Sequence, residues 1–123
     1  MPPTGLVDLE QLTEHLRDDT LLVSVMAANN EIGVLQPIEA IAQLCNQRGI
    51  RFHCDAAQAI GHLPLQPADL GIDLLSFSGH KLYGPKGIGA LVVAPGVRLA
   101  PLLHGGGQEQ GLRPGTLPVP LIV

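Results

Sequence analysis

Aromatic side chains are nearly missing from this sequence, which has no tryptophan, one tyrosine and two phenylalanines in 123 residues. Hydrophobic residues still make up 46%, which excludes a disordered chain. The core must therefore be built from Leu, Val, Ile and Ala, a composition that suits strands covered by helices. Basic residues are also scarce: seven Lys and Arg stand against eleven Asp and Glu, for a formal charge of −4. With neither a basic run nor an aromatic platform, there is no electrostatic case for nucleic acid or an anionic membrane, and a small-molecule partner is expected. No positively charged stretch leads into an apolar one in "MPPTGLVDLEQL", and no apolar run has the length of a bilayer span, so the expected location is the cytoplasm. Cysteine occurs only as Cys45 and Cys54, without a CxxC or paired Cys/His motif. That excludes a disulfide framework and a metal site, and both read as small buried hydrophobes.

What is present has the length of one domain. Asp8 followed by Gln11 resembles a capping box, and Leu9, Leu12 and Leu16 fall at helical spacing, predicting a helix over 8–18. "LLVSVM", residues 21–26, reads as a buried strand. Pro37 suits the first turn of a helix whose Ile38, Ile41, Ala42 and Cys45 share a face before Gly49 ends it, and "IRFHC", residues 50–54, is the next strand. Strand, crossover helix and strand make a βαβ unit with parallel strands. "DLLSF" and "GIGALVV" add two strands, the last running to a turn at Pro95-Gly96, so an α/β sheet is expected. The sequence stops within the apolar run "LPVPLIV", which reads as a piece of a longer chain.

Ligands of open α/β sheets collect beyond the carboxyl ends of the strands. Three polar groups should meet there: Asn29-Asn30-Glu31, Asp55, and Ser78-Gly79-His80-Lys81. Both lysines of the chain, Lys81 and Lys86, stand in "SFSGHKLYGPKG". Lys86 reads as a solvated charge in a turn. Lys81, at a partly dry strand end, is placed to lose its proton and attack a carbonyl. Asp55 either caps the following turn or partners a protonated ring nitrogen, as pyridoxal phosphate requires. Gln58 can reach that cofactor's phenolic oxygen, and Ser78 and His80 can donate to its phosphate.

Four segments, "NNEIG", "HCDAAQAIGHLPL", "SFSGHKLYGPKGIGAL" and "HGGGQEQGLRPGT", occur in an order that resembles the cysteine desulfurases, pyridoxal-phosphate enzymes of the class V aminotransferase family. The resemblance runs over essentially the whole chain. It implies a fold of the α/β class, part of the large cofactor-binding domain of a fold-type I aminotransferase, with a mainly parallel sheet and covering helices. It also implies that Lys81 carries the cofactor covalently, Asp55 pairs with the pyridine nitrogen, Gln58 contacts the phenolic oxygen, and Ser78 and His80 bind the phosphate. Asn30 then lies near the cofactor's oxygen and the substrate carboxylate, and Thr116 reaches the other subunit's phosphate in a homodimer. The implied reaction takes sulfur from L-cysteine, leaves L-alanine, and passes the sulfur through an enzyme persulfide to an acceptor or scaffold protein for iron–sulfur clusters or thio-cofactors.

The resemblance further implies that residues 1–123 are the central part of that domain, with an N-terminal segment and a C-terminal small domain absent. The persulfide cysteine, the ring-stacking histidine and the carboxylate-binding arginine would lie outside. Pro114 stands where many members have serine and also occurs in relatives resembling selenocysteine lyases, so selenocysteine remains an alternative substrate. A non-catalytic fragment that only binds cofactor or a partner chain is the other alternative. "GPKGIG" lacks the Ser or Thr that a Walker loop needs after its lysine, and "HGGG" has no accompanying GxSxG. His15, His53, His62 and His104 read as structural or exposed.

Overall fold

Ile38, Ile41, Ala42 and Cys45 repeat at the spacing that puts four side chains on one face of a helix. In the computed structural model, which describes residues 3–123, this face is buried and the helix α2 runs Ile38–Gln47. Pro37 is its N-cap, one position earlier than expected. Gly49 takes a left-handed conformation (φ 67°), so Gly49 N donates to Asn46 O and Ile50 N to Cys45 O, closing the helix end and delivering the chain into the next strand.

That strand is β2, Arg51–Asp55. It pairs in parallel with β1, Leu22–Met26, and with β3, Leu74–Ser78. The last strand, β4, Gly89–Val93, returns antiparallel to β3, giving a sheet of order β1-β2-β3-β4 that is mainly parallel, as the sequence predicts. Side chains alternate along β2: Phe52 and Cys54 are fully buried against Ile41 and Cys45, whereas Arg51, His53 and Asp55 point to the other face. Helix α1, Leu9–His15, packs against α2, and the short α3, Pro67–Leu70, does the same, so these helices lie on one side of the sheet.

Two expectations need correction. The strand at residues 21–26 is not buried on both faces: Leu22 is 47% and Met26 38% exposed, because only the face carrying Val23 meets the helical layer. The helix expected over 8–18 ends at His15. Asp8 caps it by accepting from Glu10 N and Gln11 N, but Thr20 Oγ1 takes the Arg17 N–H and Leu16 turns extended, which stops the helix short. Leu16 nevertheless reaches the core.

Candidate active site

The strand register decides what meets at the carboxyl edge. Met26, Asp55 and Ser76 are level across β1, β2 and β3, and the pairing extends one residue further, with Ala27 N donating to Asp55 O and Ala56 N to Ser76 O. The chain then leaves the sheet in three loops side by side.

The first loop is organised by Asn29 rather than Asn30. Asn29 Oδ1 accepts from Glu31 N and Ile32 N, its backbone N–H donates to Val34 O, and a bridge from Ala28 to Leu35 closes the base. Asn30 stands exposed in this turn. The ordering role of Asn29 was not singled out in the sequence, although an Asn-Asn pair after a strand is the usual signal for a side-chain-built turn.

The second loop follows Asp55, whose Oδ1 accepts from Ala57 N at 2.9 Å. This is the capping role anticipated for the carboxylate, and it engages one oxygen. Ile60 N and Ala59 N both donate to Ala56 O, so residues 57–59 form tight turns that keep half-buried Gln58 near the strand end, though no continuous helix forms.

The third loop carries "SGHK". Ser78 is half-buried and precedes a single 3-10 turn, Gly79–Lys81, without using its hydroxyl to cap it. Gly79 is needed by close approach: a Cβ there would come within 2.7 Å of Ile88 Cγ2. Leu82 N and Gly84 N both donate to Gly79 O, and Gly79 N donates to Ile88 O, which closes the segment around Lys81. Tyr83 completes the closure in a left-handed conformation, φ 62°, that costs a non-glycine residue on the order of 1–2 kcal/mol. Its ring is 95% exposed. Strain of this kind concentrates where the backbone is fixed for function.

Lys81 and His80 are exposed and have no hydrogen-bond partner among the described residues. The expectation of a partly dry Lys81 is therefore not met within this chain, because the 3-10 turn carries the amine beyond the sheet edge. Thr116 lies far along the chain in an exposed segment after β4, and no hydrogen bond ties it to the other candidates among the described residues. The structure thus groups Asn30, Asp55, Gln58, Ser78, His80 and Lys81 on adjoining loops and leaves Thr116 apart from them in sequence and hydrogen bonding.

Both cysteines are buried. Burial, with the Asp55 charge as a second cause, pushes the Cys54 thiol up to about 11, and burial first, then Asp73, raises that of Cys45. Neither is a nucleophile at neutral pH. His53, which reads as structural in the sequence, bonds Ser24 Oγ through Nδ1 at 2.7 Å and Ser76 Oγ through Nε2 at 2.9 Å.

The donor set suits pyridoxal phosphate: a carboxylate with one oxygen uncommitted, a serine hydroxyl free of capping, and an unpaired amine, held by three adjacent strand ends. Comparison with known proteins gives the same direction. The chain is 60% identical over 121 residues to a mitosomal cysteine desulfurase of Trachipleistophora hominis, covering 97% of this chain and 27% of that protein. It is 58% identical over 123 residues to the cysteine desulfurase IscS of Rickettsia felis, covering 98% of this chain and 30% of the relative. It therefore spans roughly three tenths of the length of these curated relatives. Among solved structures, one described as SspA in complex with cysteine superposes with a TM-score of 0.92 at 51% identity, over 97% of this chain and 35% of that one. A NifS-like protein also gives 0.92, at 47% identity, over 97% and 33%. The family described as aminotransferase class-V matches residues 1–118, and the chain belongs to that family.

Proposed function

We propose that this chain forms the cofactor-binding centre of a pyridoxal-phosphate-dependent cysteine desulfurase acting on L-cysteine. The observation that carries the reading is the register of three parallel strands, Met26, Asp55 and Ser76 standing level and β3 running on to Ser78. It sets Asp55, Ser78 and Lys81 along one edge of the sheet, with Asp55 Oδ2, the Ser78 hydroxyl and Lys81 Nζ free of hydrogen bonds among the described residues. Bound there, pyridoxal phosphate supplies an electron sink that permits bonds at the substrate Cα and Cβ to break. Lys81 Nζ would hold the cofactor through its aldehyde carbon, and the same amine would hold and return the Cα proton. The Asp55 carboxylate accepts the ring N–H, while the Ala57 N–H restrains its other oxygen. The Gln58 amide donates to the phenolic oxygen, Ser78 and His80 donate to the phosphate, and Asn30 orients the substrate carboxylate. Thr116 serves the phosphate of a second subunit in a homodimer.

Cys45 and Cys54 are excluded as sulfur acceptors by burial and raised thiol pKa. The persulfide is accordingly assigned to a cysteine outside residues 1–123, from which sulfur reaches an acceptor protein for iron–sulfur or thio-cofactor assembly. The similarity to relatives more than three times as long supports reading the chain as the central part of a large domain. Among the described residues no helix is long and apolar enough to cross a membrane, and cytoplasmic location is part of this proposal. Pro114 is buried close to Gly105, a packing position that favours neither sulfur nor selenium; the preference for cysteine is supported by the similarity to a structure described as a complex with cysteine.

The test is Lys81→Ala in the full-length protein. The wild type should take up pyridoxal phosphate with a visible absorbance band that borohydride abolishes, and should convert L-cysteine to L-alanine. The variant should do neither, and turnover retained in it rejects the assignment. Selenocysteine run beside cysteine decides between the two substrates. A wild type that stays colourless indicates a chain that only binds a partner.

A further inference from the structure

His53 is the one side chain of β2 that bonds both neighbouring strands among the described residues, and the proposed chemistry leaves it unused. It is half-buried on the face that carries Asp55, two residues before it. One ring nitrogen meets Ser24 of β1 and the other meets Ser76 of β3. Ser76 is the register partner of Asp55, and adjacent strands lie about 4.8 Å apart, so this serine stands beside the carboxylate.

A neutral imidazole has one donor and one acceptor nitrogen, so the bridge has a direction. If Nδ1 carried the proton, Ser76 would donate to Nε2 and turn its lone pairs toward an acceptor-only carboxylate. If Nε2 carries it, Ser76 accepts from the ring and its own proton is free to face Asp55. Ser24 is exposed and can satisfy its second lone pair with water, so it tolerates either arrangement. The field of the carboxylate therefore selects the second.

We infer that Ser24, His53 and Ser76 form a directed hydrogen-bond chain, Ser24 to His53 to Ser76, whose last hydroxyl proton is turned toward the Asp55 carboxylate beside it in the register, and that this makes His53 and Ser76 positioning residues for Asp55. The Ala57 N–H holds Oδ1 from the following turn, and the Ser76 hydroxyl faces the carboxylate from within the sheet. The direction of the chain stands on the two hydrogen bonds of His53 and on the register that sets Ser76 beside Asp55; its value to catalysis rests on the role proposed above for Asp55.

Two experiments on the full-length protein decide the matter. Neutron diffraction of the cofactor-free form should show a deuteron on His53 Nε2, none on Nδ1, and the Ser76 hydroxyl turned to Asp55. A deuteron on Nδ1 alone, or on both nitrogens, overturns the inference whatever the enzyme does. In the holoenzyme, His53→Leu and Ser76→Ala should lower kcat roughly tenfold with KM little changed and shift the visible band, as loss of supporting hydrogen bonds does elsewhere. His53→Gln reaches the Nε2 position and should restore most of kcat, whereas His53→Asn reaches only toward Ser24 and should not. Equal activity of the Gln and Asn variants, or wild-type kcat and spectrum in Ser76→Ala, overturns it. Should His53→Leu fail to fold, Ser76→Ala carries the same decision. A wild type that takes no cofactor defeats the functional reading, while the neutron result still decides the hydrogen-bond chain.

Discussion

Cys54 shows how a single residue ties stability to pH. Its thiol is held protonated in the fold up to about 11, against 9.0 for an ordinary thiol. Between those values the unfolded chain releases a proton that the folded one keeps, so the unfolded state gains. Stability is then complete below pH 9 and falls as pH rises, by about 1.4 kcal/mol per unit from this group. Urea midpoints measured from pH 8 to 10.5 should decline accordingly, and a flat profile would show that the thiol ionises freely. In the same way iodoacetamide at pH 8 should spare Cys45 and Cys54 until the protein unfolds, with mass spectrometry as the readout. The burial of both was legible in the sequence, since each sits on the apolar face of its element and neither belongs to a CxxC or paired Cys/His motif. The exposure of Lys81 was not, because it depends on where a three-residue turn aims a side chain after the strand has ended.

Between residues and fold lie the elements, and β2 is secured at its start by Asp73. Asp73 is buried, accepting from Phe52 N at 2.9 Å and from the Arg51 guanidinium at 2.6 Å. Asp73→Ala would leave the buried Phe52 N–H without an acceptor and should cost about 2–3 kcal/mol in denaturant unfolding. Arg51→Ala removes only a half-exposed ion-pair partner, 55% exposed, and should cost under about 1 kcal/mol. Equal losses would mean that the ion pair, not the backbone bond, holds the strand. On the 78–84 loop, Tyr83→Gly should raise stability by up to about 1 kcal/mol by removing left-handed strain, and thermal unfolding would detect it. Helix α2 was legible because its four apolar positions obey helical spacing without exception. The end of α1 was not, since the Thr20 hydroxyl, five residues after the last helical residue, competes for a backbone N–H that the apolar pattern assigns to the helix.

Across the whole molecule, one face of the sheet is covered by helices and the other carries exposed Ser24 with half-buried His53, Asp55 and Ser76. Apolar side chains also stand out along the segment after β4, with Leu102 94% and Leu103 53% exposed. Contiguous surface of this kind drives association. Residues 1–123 on their own should self-associate with rising concentration in sedimentation velocity, and Leu102→Glu with Leu103→Glu should reduce it. An unchanged distribution would place the contact at the unpaired strand edges instead. The α/β class and parallel order were legible from alternating elements; the one-sided layering was not, because an apolar run does not say whether both of its faces are covered. The alternation along β2 has a last consequence, one of parity. The stretch between the turn at Gly49 and Asp55 tolerates gain or loss of two residues in principle, but a change of one would swing the carboxylate through the sheet into the oily layer beneath α2 and bring Cys54 or Ala56 to the surface in its stead.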